Sequence, residues 1–501
     1  MRALAPEFAA YEWAPSTAEL AQRTGLDSLE IVRFDGNVPP LPPRSARPGT
    51  IAAILARANE YPHGGYTALV EAIASYAGVG PENVVLGAGG DDLILLCARA
   101  FAGEGDTVAI ADAPTYSLYR VAAELAGARV GDDDPALTFC CRPNNPTGAF
   151  GPLPDARPLV VDEAYFEFAG ESAVGLIDDD VIVLRTFSKA FGLAGMRVGY
   201  ALAQAGTAAE LNRRQAPAPI ATVSAALALA ALADPPDVAA VLGERERMAA
   251  ELRSLGFEPL PSHANFLYVP TPEADALSER LLARGLVVRR LDAAIRITIR
   301  DREDDDLLLA ALAGAPVRAS TTRVLRATAE TTIRARVALS CAGRVRVSTG
   351  AGLYDHLLEQ LAFHSGIGLV LEGTGDLETG EHHTAEDAAL AFGQALDRAL
   401  GDRRGIARYG NAVVPMDDAL ASAAVDLGGR PWAEVALEPD PGLAAHVLSS
   451  LAQTGRLAVH VESRGRDAHH TAEAAFKAVG RALRAALTAE GTGVPSTKGL
   501  V

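Results

Sequence analysis

At 501 residues, the chain is longer than one hydrophobic core usually organises, so two or three domains are expected. Its composition, 49% hydrophobic and 22% charged, is that of an ordinary folded protein. The formal net charge of -18 excludes nucleic acid and anionic membranes as main partners, while leaving room for a few Arg or Lys around a small phosphorylated ligand.

The first residues, Met1-Arg2-Ala3-Leu4-Ala5-Pro6-Glu7, lack the apolar stretch of a signal peptide. Cys97, Cys140, Cys141 and Cys341 form no CxxC pair, so neither a thiolate metal site nor a disulfide framework is expected. Both readings suit a reducing cytoplasm. Up to about residue 315, short β-branched runs at 83–86, 107–110, 159–161 and 181–184 alternate with Ala/Leu-rich stretches. That rhythm predicts an α/β fold, with a mostly parallel sheet and helices on both faces. The longest apolar run, 225–233, is too short to span a bilayer and stops at Asp234-Pro235-Pro236, which predicts a buried helix. A helix predicted over 304–312 closes the region, and a linker-like stretch follows at 313–321. From Thr322 the texture changes to alternating strands such as 332–339. The domain boundary is expected near residue 318, dividing the chain into 1–317 and 318–501.

The first part carries a series of motifs. In chain order they are Tyr61-Pro62-His63-Gly64-Gly65-Tyr66, Pro143-Asn144-Asn145-Pro146-Thr147-Gly148, Asp162-Glu163-Ala164-Tyr165 and Thr186-Phe187-Ser188-Lys189, with Arg197 eight residues beyond Lys189. The third and fourth follow directly on predicted strands. This series resembles the class I/II pyridoxal-phosphate aminotransferases, over residues 1 to about 315, and implies their fold-type-I architecture with a small accessory domain.

The resemblance also implies roles. Lys189 would bond the cofactor aldehyde and move the proton between the α-carbon and C4′. Asp162 would pair with the pyridine nitrogen. Asn145 and Tyr165 would hydrogen-bond the ring oxygen, and Tyr116 would stack on the ring. The phosphate would sit on Gly90, Asp91 and Asp92 at a helix start, with Thr186, Ser188 and Arg197 completing the cradle. Tyr61 would reach the cofactor of a partner subunit. Arg296 and Arg289 would face the substrate. Short stretches, including Ala264-Asn265-Phe266-Leu267 and Gly285-Leu286-Val287-Val288-Arg289, point within the fold to histidinol-phosphate aminotransferase. Threonine-phosphate decarboxylases and aromatic aminotransferases share much of the pattern, and a non-catalytic scaffold is a further alternative. The region departs from typical members in lacking segments between Val130 and Phe139 and between Gly148 and Leu159.

The second part repeats itself. His382-His383-Thr384-Ala385-Glu386 recurs as His469-His470-Thr471-Ala472-Glu473, and each box follows a helical histidine, His356 or His446, by 26 or 23 residues. Positions i and i+3 share a helix face, so His383 is expected to grip an ion with Glu386, and His470 with Glu473. His382 and His469, about 100° further round, would serve a different ion. With His356 and His446 the eight ligands divide into two sites of three His and one Glu, suited to Mn²⁺, Fe²⁺ or Zn²⁺.

Residues from about 322 to 501 resemble imidazoleglycerol-phosphate dehydratase, on Glu330-Thr331-Thr332-Ile333, Asp355-His356-Leu357-Leu358, the two boxes, Gly405-Ile406-Ala407-Arg408, Gly429-Arg430-Pro431 and Ser496-Thr497-Lys498-Gly499. Leu357 and Gly428 depart from the common Met and Ser, without removing a ligand. The resemblance implies a duplicated α+β domain, two Mn²⁺ ions and a homo-oligomer of 24 subunits with substrate sites at subunit contacts. It further implies phosphate contacts from Arg408, Arg430, Lys477, Ser496 and Lys498, a substrate contact from Gln360, and proton transfer by Glu473 and Glu330. The dehydration product is the keto acceptor of a histidinol-phosphate aminotransferase. The two halves therefore read as one bifunctional enzyme of histidine biosynthesis, whose ligands are phosphorylated imidazoles and glutamate.

Overall fold

A computed structural model describes residues 13–26, 28–40, 42–43, 46, 51, 54–56, 58–62, 65–314, 321–339, 345–493 and 495. The expected boundary residue 318, Cys341, Ser496 and Lys498 lie outside them. The chain divides into two compact units, with the main division between residues 316 and 317. None of the described helices is long and apolar enough to cross a membrane.

The first unit is built on a seven-stranded sheet. Its strands are β2 (Val84–Gly87), β3 (Thr107–Ile110), β4 (Arg129–Val130), β5 (Leu137–Cys141), β6 (Leu159–Asp162), β7 (Val181–Thr186) and β8 (Gly199–Leu202), in the order β2-β8-β7-β6-β5-β3-β4. The ladders joining β4, β3, β5, β6 and β7 are parallel, and β8 alone runs against its neighbours β7 and β2. Alternate residues enter two cores. Val161 and Val183 pack on one face, Val160 and Ile182 on the other. Both faces are thus covered, as the near-continuous apolar runs require. The helix expected there is Thr222–Leu232, with Ser224, Leu227, Ala228 and Ala231 buried and its other residues half-buried. A smaller sheet, β1 (Val32–Phe34), β10 (Leu286–Leu291), β11 (Ala294–Thr298) and β9 (Phe266–Pro270), forms the accessory part.

The second unit contains the repeat in three dimensions. Strands β12 (Thr321–Ala327), β13 (Thr331–Ala338), β14 (Val345–Ser348) and β15 (Gly368–Gly375) make a sheet of order β12-β13-β15-β14. Strands β16 (Tyr409–Met416), β17 (Ala419–Asp426), β18 (Trp432–Glu438) and β19 (Ala458–Arg464) repeat it as β16-β17-β19-β18. In each, two antiparallel ladders are followed by one parallel ladder. Each repeat adds a helix bearing the lone histidine, Gly352–Ser365 or Ala444–Gly455, and one bearing the box, His382–Leu400 or Ala468–Ala486. Along β17 the residues Ala419, Ala421, Ala423 and Val425 turn inward, the period of two expected of a sheet with one buried face. All four helices and both sheets share one core.

The box helix of each repeat packs on the lone-histidine helix of the other. Glycines at equivalent positions allow the approach. A Cβ on Gly393 would stand 2.5 Å from the Leu451 carbonyl oxygen, and one on Gly480 2.5 Å from that of Leu361. Gly393→Ala gains helix propensity but must push the helices apart. The expected net result is a loss of about 1–2 kcal/mol, read as a lower midpoint in chemical denaturation of the second unit. An unchanged or raised midpoint would refute the tight-packing account.

Candidate active sites

In the first unit the expected cofactor residues leave one edge of the sheet. Tyr116 follows β3, Asn145 follows β5, Asp162 ends β6, Thr186 ends β7, and Lys189 comes three residues later. Parallel strands put these carboxyl ends on one side, where open α/β sheets bind ligands. The Gly90–Phe101 helix starts on that side too, following β2.

Asp162 is buried. Its Oδ2 accepts from the Tyr119 hydroxyl at 2.7 Å and its Oδ1 from the Ala164 amide at 3.0 Å. Burial pushes its carboxyl up to about 6 against the pull of these bonds. Lys189 Nζ lies 5.7 Å from the centre of the Tyr165 ring. Burial, then the Arg296 charge, bring its ammonium down to about 8. The Tyr165 hydroxyl accepts from Asn37 Nδ2 at 2.9 Å. Asn145 Oδ1 accepts from Arg296 Nη1 at 2.5 Å, and Arg296 Nη2 donates to the Asp35 carbonyl at 2.8 Å. Arg289 stands opposite Arg296 across the β10–β11 ladder.

At the helix start, Asp91 gathers the side chains. Arg197 Nη2 donates to its Oδ2 at 2.9 Å, and the Tyr116 hydroxyl donates to its Oδ1 at 3.0 Å. Asp92 is turned back to the Ala88 amide, 3.0 Å away, so its side chain closes the preceding turn. Gly89 has φ 88°, and a Cβ there would stand 2.7 Å from Arg197 Nη2, so only glycine lets the arginine close over the turn. Thr186 Oγ1 donates to Ser188 Oγ at 2.9 Å. Tyr61 is 82% exposed.

A buried carboxylate, a lysine with a depressed pKa and a helix N-terminus beside an arginine match the ring nitrogen, aldehyde and phosphate of pyridoxal phosphate. Sequence reasoning missed Tyr119 and Asn37, which hold Asp162 and Tyr165. The spacing of Tyr119 three residues after Tyr116 could have suggested the first, but nothing near Asn37 signalled the second.

The Asp162 shift has a stability consequence. Its folded pKa of about 6 lies above the ordinary 3.8, so the native state binds more protons between those values, and stability falls as pH rises from about 4 to 6. Asp162→Asn removes that slope. The cofactor-free variant should gain up to about 3 kcal/mol at pH 7 relative to pH 4, compared with the parent, in denaturant unfolding. A parallel pH dependence in both proteins would show that the buried charge costs nothing.

In the second unit, three groups of possible ligands form among the described residues: Glu330, Asp376 and His383, and two trios that pair a lone histidine with a box. His356, His469 and Glu473 make one, and His446, His382 and Glu386 the other, with each trio's ligand atoms within 4.8 Å of one another. Glu473 Oε1 lies 3.6 Å from His356 Nε2, and its Oε2 3.4 Å from His469 Nε2. Glu386 Oε2 lies 3.5 Å from His382 Nε2 and 3.3 Å from His446 Nε2. Each trio therefore takes its lone histidine from one repeat and its box from the other.

The pairing expected from the i, i+3 spacing is corrected here. The glutamates join the first histidine of each box, four residues back, rather than the second. Spacings of three and four both fall within about 60° on a helix, so spacing alone cannot choose. The neighbouring helix decides, by standing His446 or His356 on the side of the first histidine. The second histidines turn elsewhere: His383 toward Asp376 and Glu330, and His470 toward Asp418 and Asp417.

The trios also differ. Lys477 Nζ lies 2.9 Å from Glu473 Oε1, one helical turn along, where the first repeat has Leu390. Burial raises the Glu473 carboxyl, but the Lys477 hydrogen bond and charge outweigh it and leave it lowered. Arg408, expected on a phosphate, is bound to Asp426 through Nε and Nη2 at 2.7 and 3.0 Å. Arg430 is exposed, and Gln360 is half-buried one turn beyond His356. The nitrogen and oxygen donors of the trios, without sulfur, fit a divalent ion.

The statistical model of the imidazoleglycerol-phosphate dehydratase family matches residues 349–483, and that of the class I and II aminotransferases matches 32–132 and 131–312. The chain is 45% identical over 195 residues to imidazoleglycerol-phosphate dehydratase of Cutibacterium acnes, covering 35% of this chain and 95% of the relative. It is 47% identical over 198 residues to that of Salinispora tropica, covering 36% and 98%. Histidinol-phosphate aminotransferase from Sinorhizobium meliloti, solved with pyridoxal-5'-phosphate, superposes with a TM-score of 0.54 at 28% identity, over 60% of this chain and 95% of that one. An L-threonine-O-3-phosphate decarboxylase from Porphyromonas gingivalis shares the fold, with a TM-score of 0.50 at 20% identity over 56% and 98%.

Proposed function

Because the chain belongs to the class I and II aminotransferases through its first unit and to the imidazoleglycerol-phosphate dehydratases through its second, we propose that it performs two consecutive steps of histidine biosynthesis. The second unit dehydrates imidazoleglycerol phosphate to imidazole-acetol phosphate. The first transaminates that product with glutamate to histidinol phosphate. The observation that carries this reading is the presence, on one chain, of both histidine–glutamate trios and the Asp162–Lys189 constellation, since the product of one reaction is the acceptor of the other.

Pyridoxal phosphate supplies an electron sink for the α-carbon, and divalent ions, which we take to be Mn²⁺, supply Lewis acidity toward an imidazole ring. The chain's residues do the rest. Asp162 holds a proton at the ring nitrogen, with Tyr119 and the Ala164 amide fixing its two oxygens. Lys189 carries the proton to and from the substrate α-carbon. Asn145 and Tyr165 orient the cofactor ring. Gly90 and Asp91 amides, Thr186, Ser188 and Arg197 hold its phosphate, with Tyr61 reaching a partner subunit's site. Arg296 and Arg289 take the substrate. In the second unit Glu473 removes the substrate proton and Glu330 serves the departing hydroxide. Arg430, Lys477, Ser496 and Lys498, with Arg408, serve the substrate phosphate.

Each trio offers three ligands, and His383 and His470 face away from both. This favours a homo-oligomer in which another copy supplies the fourth ligand, consistent with a 24-subunit shell. The unpaired thiols Cys97, Cys140 and Cys141 suit the cytoplasm, where we place the enzyme. The deciding experiment supplies the purified protein with imidazoleglycerol phosphate and glutamate and follows histidinol phosphate. Dehydration without transamination, alongside turnover of phenylalanine or threonine phosphate, would overturn the assignment of the first unit.

A further inference from the structure

The two histidines that face away from the trios are held in the same manner. His383 Nδ1 stands 3.0 Å from Asp376 Oδ2 and 3.3 Å from Oδ1. His470 Nδ1 stands 2.6 Å from Asp418 Oδ1. The other acidic groups acting on them are Glu330, with Oε2 3.5 Å from His383 Nδ1, and Glu386 at the first, and Asp417, with Oδ2 3.6 Å from His470 Nε2, and Asp467 at the second. Each holding acid is itself anchored. Asp376 Oδ2 accepts from Thr379 Oγ1 at 2.8 Å, and Asp418 Oδ2 accepts from the amides of Arg466 and Asp467 at 2.5 and 3.0 Å.

The acids occupy different places in the repeats. Asp376 directly follows β15, where the second repeat, after β19, has Gly465. Asp418 lies in the β16–β17 hairpin, whose counterpart between β12 and β13 ends in Glu330. Both hairpins thus bring a carboxylate toward the same ring nitrogen, Asp418 at 2.6 Å and Glu330 at 3.5 Å, and the first repeat adds Asp376 at 3.0 Å from a loop that has no acid in the second. An imidazole whose Nδ1–H is donated to a fixed carboxylate keeps its Nε2 lone pair for a ligand.

Resting on the reading that each trio is completed by another copy, we propose that Asp376 and Asp418 are positioning residues, fixing His383 and His470 so that each Nε2 serves a divalent ion held by a neighbouring copy's trio. The full-length protein, stripped by chelation, is titrated with Mn²⁺ and, for its visible spectrum, with Co²⁺. Asp376→Ala and Asp418→Ala should each weaken ion uptake about 10- to 100-fold and alter the Co²⁺ band, with circular dichroism unchanged. Asp418→Asn, which keeps an acceptor oxygen, should recover part of the affinity. Affinities within about twofold of wild type with the parental Co²⁺ spectrum would overturn the proposal. So would an additional ion per chain lost only in Asp376→Ala, which would place the metal within Glu330, Asp376 and His383 of one chain. A His383→Ala protein with full uptake would instead overturn the reading on which the proposal rests.

Discussion

Lys189→Ala is expected to reduce transamination by about 10⁴-fold or more while leaving dehydration within about twofold of wild type. The first expectation follows from what the lysine must do. It is the amine placed at the carboxyl end of β7, facing Tyr165 and sharing its surroundings with Asp162 and Arg296. Burial and Arg296 bring it down to about 8, so a substantial neutral fraction exists near neutrality, and only a neutral amine can attack an aldehyde or accept a proton. Loading of the cofactor-free parent with pyridoxal phosphate should therefore speed up about fivefold from pH 7 to pH 8 and level off above, as the titration of such a group requires. The second expectation follows from the division into two units with separate cores. Separate assays of the two steps decide the matter. Transamination persisting above about 1% of wild type would remove Lys189 from the chemistry.

Glu473→Ala should cost dehydration about 10³-fold and abolish one of the two classes of bound ion, leaving transamination intact. Glu473 is the only carboxylate of its trio and stands between His356 and His469. Its removal also strips Lys477 of the partner at 2.9 Å, leaving a largely buried ammonium, so a stability loss of about 1–3 kcal/mol is expected as well. Glu386→Ala removes the matching carboxylate from the other trio, where Leu390 replaces the lysine. It should lose its own ion with little loss of stability. Metal analysis after dialysis, paired with denaturation, separates the two variants. Retention of both ions by Glu473→Ala, or equal destabilisation by both, would contradict the asymmetry of the trios.

Much of this was legible in the sequence because it depended on order along the chain. The strands at 107–110 and 181–184 could be placed because a sheet covered on both faces leaves continuous apolar runs, and Asp162 and Lys189 could be placed because they follow such runs. The duplicated boxes pointed to clustered histidines and glutamates by identity alone, but their partition into trios was not legible. Which histidine joins Glu386 depends on the crossing of helices from different repeats, and the glycines that permit it, Gly393 and Gly480, look like any others in a glycine-rich chain. Tyr119 and Asn37 were hidden for a related reason. Each acts on a residue far along the chain, Asp162 or Tyr165, and no local period records such a contact.

The exchange of histidines between repeats carries a further consequence for how such a unit could arise. A single repeat bears a lone histidine and a box that never meet, so alone it assembles no trio. Two identical copies exchanging these helices would make both, each ion pinning one molecule to the other. Joining the copies in one chain would turn that intermolecular clamp into an internal one and release the halves from remaining identical. Lys477 opposite Leu390 marks one place where the two halves differ, giving one trio a charged neighbour that the other lacks.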